Sequence, residues 1–227
     1  MLVAPAETWI FGYGSLMWNP GFLFAEMRPA RLTGYHRAFC IYSVHYRGTP
    51  RQPGLVLGLD RGGVCDGIAF RIAPERQAET LAYLRRRELI YGVYREALAP
   101  VALAHGGDEA PRTVRAVTYI AERAHPAYAG SLPLLREARL IRRSAGEGGT
   151  NLDYLASTLR HLRTLGISEP RLERTATLVG ALAVRGGGAM PGGCSPTAAL
   201  TRAWAARGFA TPRTARDNRF GFRAKRD

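Results

Sequence analysis

Residues 8–12 (Thr-Trp-Ile-Phe-Gly) make a short apolar run, and a glycine-rich segment, Gly12-Tyr13-Gly14-Ser15-Leu16, follows at once. The pair predicts a buried strand that ends in a tight turn. Between 34 and 46 apolar and polar positions alternate (Tyr35, Arg37, Phe39, Ile41, Ser43), which is the period of a half-buried strand. Residues 54–60 and 65–73 predict two more strands, and Arg61-Gly62-Gly63 between them reads as a hairpin turn. The period then changes: Ala78, Leu81, Ala82, Leu84 and Leu89 fall at helical spacing over 75–89, with Pro74 near the first turn. Strands return at 97–104 and 113–122. Helices are predicted at 132–144 and 151–165, with a shorter one at 169–182. Short strands with one inserted helix and a helical end predict an α+β fold on a small closed or half-closed barrel of five or six strands. A doubly wound parallel sheet does not fit, because strands and helices do not alternate.

The texture changes near 185, where Arg185-Gly186-Gly187-Gly188-Ala189-Met190-Pro191-Gly192-Gly193 is a run of breakers. We therefore expect a domain over 1–180 and a basic, Gly/Arg-rich extension over 181–227. That extension is expected to hold one helix at 197–208 and to be weakly ordered in its last twenty residues. Length supports one sizeable core: 227 residues, 46% hydrophobic, mean hydropathy −0.14. No run of about 18 apolar residues is present to span a membrane. No cationic stretch precedes Trp9–Leu16, since the first basic residue is Arg28, so no secretory signal is expected.

Charge narrows the chemistry. Of 32 basic residues only Lys225 is a lysine. A phosphate-binding P-loop, a protein kinase and a pyridoxal enzyme each need a placed lysine, and all three are disfavoured. The net charge is +14, and residues 176–227 carry 9 basic against 2 acidic side chains, half of it. A nucleic-acid-binding module is one reading of that surplus. An arginine-rich composition with a solvated tail is the reading we favour, because aromatics are not interleaved with the arginines, so no specific nucleic acid and no membrane partner is expected. Cys40, Cys65 and Cys194 are few and widely spaced, which implies neither a disulfide framework nor a zinc site and suggests a reducing cytoplasm. The five histidines form no H-x-x-x-H pair.

Two features could carry chemistry. In the turn Phe11-Gly12-Tyr13-Gly14-Ser15-Leu16, two glycines would allow positive φ and close approach of a ligand, and successive N–H groups would form an anion-accepting nest. An ordinary strand-to-loop turn is the alternative. Glu88 lies four residues after Leu84 and seven after Leu81, on the apolar stripe of the predicted helix. A carboxylate there is costly unless paired or used. It is either an ion-pair partner of Arg85 or Arg87, or a general base with a raised pKa.

The ordered set Tyr13-Gly14-Ser15-Leu16, His45-Tyr46-Arg47-Gly48-Thr49-Pro50, Pro53-Gly54, Gly67-Ile68-Ala69-Phe70-Arg71, Arg87-Glu88-Leu89-Ile90 with Tyr94, and Gly149-Thr150-Asn151-Leu152-Asp153-Tyr154-Leu155 resembles the ChaC family of γ-glutamylcyclotransferases over roughly residues 8–175. The resemblance implies a small mixed β-barrel flanked by helices. It implies cleavage of glutathione to 5-oxoproline and cysteinylglycine without metal or cofactor, with Glu88 as the catalytic glutamate. It further implies a γ-glutamyl-binding loop over Ile10, Phe11, Gly12, Tyr13, Gly14, Ser15 and Leu16, with Arg47, Gly48 and Tyr154 as further pocket residues. Relatives acting on other γ-glutamyl amino acids or amines keep the substrate open at this stage. Two departures stand out: the tail after about 180 has no family counterpart, and Glu88 is followed by Leu-Ile-Tyr-Gly rather than the shorter glycine pair of some relatives.

Overall fold

The computed structural model describes residues 7–104 and 112–185. The chain divides into two units, Met1–Val179 and Gly180–Asp227. The helix expected at 197–208, the weakly ordered end and Cys194 lie outside the described residues.

In the first unit, strands β1 (Thr8–Gly12), β2 (Glu26–Ser43), β3 (Gly54–Ile72), β4 (Tyr94–Leu103) and β5 (Arg112–Ala121) close into a barrel in the order β1-β3-β2-β4-β5. All pairs are antiparallel except the closing one, where β1 runs parallel to β5 with Trp9 opposite Ala116 and Ile10 opposite Val117. Helix α1 (Gln77–Glu88), entered through a 3-10 turn at Pro74–Arg76, crosses from β3 to β4. The helices α2 (Leu134–Arg143), α3 (Asn151–Thr164) and α4 (Pro170–Arg185) follow, with a two-residue strand pair, β6 (Ala145–Gly146) and β7 (Gly149–Thr150), between α2 and α3. Helix α4 runs past residue 180. Among the described residues a strand or helix covers each predicted segment, and the core is built on the barrel, where Ile10, Phe11, Phe39, Leu55, Ile68, Phe70, Val101 and Ala116 are buried.

Two strand assignments need correction. Arg61-Gly62-Gly63 is not a hairpin turn: β3 is one continuous strand from Gly54 to Ile72, and the chain reverses at 44–53 instead. Gly62 and Gly63 do take positive φ (94° and 73°), but they face Gly34 (φ 89°) across the ladder, where the register shifts between Thr33 and Tyr35. The glycines absorb a bulge that bends two long strands around the barrel. For the same reason β2 starts at Glu26 rather than near 34. Its first half alternates inward Ala30 and Leu32 with outward Pro29 and Arg31, while Glu26 and Arg31 pair across to Arg71 and Asp66 on β3 at 2.8 and 2.6 Å. Pro29 and the charges hid that alternation.

The segment Gly149-Thr150-Asn151 docks the helical layer. Thr150 caps α3, its hydroxyl accepting from the Asp153 amide at 3.0 Å. Asn151 is fully buried, and its amide group imitates a strand partner: Nδ2 donates to the Leu55 carbonyl (2.7 Å) and Oδ1 accepts from the Leu55 amide (2.6 Å). One turn further on, Tyr154 is aimed at the barrel mouth.

Candidate active site

Six elements converge on one small cavity of about 50 Å³ lined by Tyr13, Gly14, Ser15, Leu16, Leu57, Glu88, Tyr94, Tyr119 and Tyr154. The turn after β1 supplies the first four, the end of α1 supplies Glu88, and β3, β4, β5 and α3 supply the rest. Glu88 reaches the cavity because Leu81 and Leu84, on the same stripe, are sealed against the barrel. The stripe predicted from the sequence thus delivers the carboxylate inward at the last helical residue.

The cavity's electrostatics follow from burial. Only 18% of the Glu88 side chain is exposed, and Arg87 Nε lies 3.2 Å from Oε1. Burial pushes the carboxyl above its ordinary value, and the Arg87 guanidinium pulls the other way without cancelling it. Glu88 is therefore paired with Arg87 and also lines the cavity. Arg85 is not its partner, since it grips Glu96 on β4 through two bonds of 2.8 Å. Four phenols surround the carboxylate. Burial holds Tyr13 and Tyr94 well above the usual tyrosine range and pushes Tyr154 up to about 12, so these hydroxyls stay protonated. Tyr119 is raised by the same cause and lies 3.4 Å from the Glu96 carboxylate. The Tyr94 hydroxyl donates to the Leu57 carbonyl at 2.7 Å.

The glycine turn works differently from the expectation. Neither Gly12 nor Gly14 takes positive φ; Gly14 has φ −127° and ψ −134°. Closeness explains Gly12, where a Cβ would stand 3.1 Å from the Leu16 Cβ; a Cβ on Gly14 would meet only the Tyr154 hydroxyl, 4.0 Å away at the cavity. After Gly14 the chain enters a 3-10 turn, Ser15–Met17. Among the described residues no acceptor is recorded for the amides of Gly14, Ser15 or Leu16. They form a row of donors at the cavity wall, as an anion-accepting nest requires.

Of the residues singled out from the sequence, Glu88, Tyr13, Gly14, Ser15, Leu16 and Tyr154 come together. Ile10 and Phe11 do not line the cavity: both are wholly buried, on opposite faces of β1. Gly12 stands behind the turn, where its carbonyl packs against Gly67. Arg47 acts at one remove, stacking its guanidinium 5.1 Å from the Tyr154 ring centre while Nη1 donates to the Gly148 carbonyl. A Cβ on Gly48 would collide with backbone at Ser43 and Gly54, so this glycine lets two loop strands cross and does not line the cavity. Sequence reasoning missed Tyr119 and Leu57, and gave Tyr94 no role. Each sits in a strand where an aromatic or aliphatic residue reads as ordinary core. It also missed what Arg87 does: Nη2 donates to Ser15 Oγ (3.0 Å) and Nη1 to the Asn19 carbonyl (2.8 Å), tying the glycine turn to the helix that carries Glu88.

A larger groove of about 450 Å³ lies along Phe22, Leu23, Arg76, Glu79, Tyr83 and Arg86. It lacks a buried acid and a row of donors, so we place the chemistry in the smaller cavity. Among the described residues, no three His, Cys, Asp or Glu side chains converge to hold a metal ion. None of the described helices is long and apolar enough to cross a membrane. Cys40 and Cys65 are free and buried.

The profile of the ChaC-like protein family matches residues 8–182. A glutathione-specific γ-glutamylcyclotransferase of Escherichia coli K12 is 40% identical over 164 residues, covering 72% of this chain and 69% of that one. The human glutathione-specific γ-glutamylcyclotransferase 1 is 31% identical over 180 residues, 78% of this chain and 79% of its own. Among solved structures, the glutathione-specific γ-glutamylcyclotransferase from yeast superposes with a TM-score of 0.70 at 23% identity, covering 78% of this chain and 97% of that one, and so shares the fold.

Proposed function

This chain belongs to the ChaC-like family, and on that premise we propose that it is a glutathione-specific γ-glutamylcyclotransferase in which Glu88 is the general acid/base. The observation that carries the residue assignment is a buried carboxylate of raised pKa facing an unbonded row of turn amides. The reaction is a lyase step on one molecule. The α-amine nitrogen of the γ-glutamyl group attacks its own δ-carbonyl carbon, a five-membered ring closes, and the amide bond to cysteine breaks. Products are 5-oxoproline and cysteinylglycine, and no other reactant is consumed.

Nucleophile and electrophile share a molecule, so the site has to select and hold a folded conformer, and positioning of this kind supplies about 7–11 kcal/mol. Gly14, Ser15 and Leu16 amides grip the anionic oxygens of the γ-glutamyl end, and the bare Gly14 leaves room beside the Tyr154 hydroxyl. Glu88 takes a proton from the α-ammonium, freeing the lone pair, and passes it to the departing cysteinylglycine nitrogen. Protonated phenols of Tyr13 and Tyr154 can donate to the oxygen that gains charge. The catalytic domain spans 1–180. Glutathione is the small-molecule partner and the cytoplasm the compartment.

Incubation of the full chain with reduced glutathione should release 5-oxoproline and cysteinylglycine. Faster release from γ-glutamyl-alanine would move the substrate assignment to other γ-glutamyl compounds. No release from either, with salt-sensitive nucleic-acid binding that needs residues 185–227, would replace the enzyme reading with a binding module.

A further inference from the structure

Arg37, on β2, has no solvent-exposed side-chain surface, an expensive place for a guanidinium unless every donor is used. Each of its three nitrogens has a partner: Nε donates to the Tyr13 carbonyl at 2.6 Å, Nη2 to the Asp66 carbonyl at 2.5 Å, and Nη1 to the Glu169 carboxylate. Nη2 also lies 3.8 Å from the Met17 thioether. Two of these contacts bracket the glycine turn, at Tyr13 and at Met17. Arg37 itself does not line the cavity.

We propose that Arg37, oriented by Glu169, is a positioning residue for the cyclotransferase reaction, one that fixes the Tyr13–Gly14 peptide plane so that the turn amides face the cavity. The inference rests on the functional reading above. In a planar trans peptide the carbonyl and the following N–H point in opposite directions. Tying the Tyr13 carbonyl back to Arg37 therefore turns the Gly14 N–H the other way. The Met17 contact holds the far end of the 3-10 turn, so the donors at 14–16 are set from both sides. Glu169 immediately precedes α4, and its carboxylate keeps the guanidinium fork from rotating. The helical layer thereby sets the catalytic turn through one buried fork. A lysine cannot replace it, because a single ammonium cannot reach acceptors on three sides in a fixed plane.

The test uses the full chain with Glu169→Ala, Glu169→Gln and Arg37→Lys. Readouts are steady-state kinetics on glutathione, thermal melting, and amide exchange of the peptide covering 12–17. Glu169→Ala and Arg37→Lys should lose about tenfold or more in kcat while still folded, since a misplacement of about 1 Å can cost about 100-fold. Both should speed exchange at 12–17. Glu169→Gln keeps an oxygen acceptor for Nη1 and should recover most of the rate. A Glu169→Ala chain that melts earlier yet turns over saturating glutathione within about threefold of wild type makes the pair merely structural and overturns the proposal. If Arg37→Lys does not fold, Glu169→Ala decides; if that also fails, Glu169→Asp, one methylene too short for Nη1, is judged by the same thresholds. A wild type that releases no 5-oxoproline defeats the functional reading, and exchange at 12–17 then judges the positioning alone.

Discussion

Replacing Glu88 by Gln separates the base from everything else the side chain does. An α-amine titrates near about 8 and an unperturbed glutamate near about 4.3, a gap of about 3.7 units, or about 5 kcal/mol at 1.36 kcal/mol per unit. Burial of Glu88 narrows that gap by raising its pKa. Gln fills the same space, leaves Arg87 its bonds to Ser15 and Asn19, and removes proton acceptance. Loss of a general base costs about 10²–10⁴ in rate, so kcat should fall by that factor while glutathione binding, measured by calorimetry, stays near wild type. Stability moves the other way. A raised folded-state pKa means that folding favours the protonated carboxyl. That contribution is complete below the unfolded value of about 4.3 and is lost as pH rises through the folded value. Gln stays neutral throughout, so Glu88→Gln should melt at or above wild type at neutral pH and converge with it in acid. A folded Gln variant that keeps more than about a tenth of wild-type kcat refutes the base assignment.

Gly14→Val puts a branched side chain into the cavity beside the Tyr154 hydroxyl, so KM should rise at least about tenfold with the melting temperature nearly unchanged; unchanged KM would remove the turn from the binding site. Arg87→Met removes the group that lowers the Glu88 pKa, so the acid limb of the kcat/KM profile should move to higher pH, and KM should rise as Ser15 is released; a fixed limb would show that the 3.2 Å pair is not felt. Away from the site, Glu137 is buried on α2 between Arg171 (2.9 Å) and Thr175 (2.6 Å) of α4. Arg171→Met leaves that carboxylate without its cation and should cost about 3 kcal/mol in urea unfolding, at the low end for a buried pair because Arg171 is partly exposed; a loss under about 1 kcal/mol would contradict it.

What could be read from the sequence is what lies along one element. Glu88 was legible because its distance from Leu81 and Leu84 is a helical repeat, and one repeat is enough to say that it faces inward. Gly14 was legible as part of a bare turn at the site, and the structure sets it at the cavity beside the Tyr154 hydroxyl without positive φ. Arg61-Gly62-Gly63 misled because the same backbone freedom serves a turn and a bulge. Only the pairing of Thr33 with Val64 and of Tyr35 with Arg61 tells them apart, and pairing belongs to two strands at once. Tyr119 and Leu57 went unseen for a related reason: a barrel turns the strand-borne residues of β3, β4 and β5 toward one mouth, and alternation within a strand cannot say which inward residue reaches it. The Arg37–Glu169 pair is 132 residues apart in the chain, and no periodicity joins a strand arginine to the residue before a distant helix. It follows that the chemistry of this site was written locally, in an acid on an apolar stripe and a bare turn. Its precision is written non-locally, in two arginines that hold the turn at different residues, Arg37 at Tyr13 and Arg87 at Ser15. Substitutions at Glu88 should therefore abolish the reaction in any background, whereas substitutions at Arg37 and Arg87 should show coupling to each other, because each alone leaves the turn held by one hand. A double-mutant cycle in kcat between these two positions tests that directly, and strict additivity would mean that the two arginines do not act on the same turn.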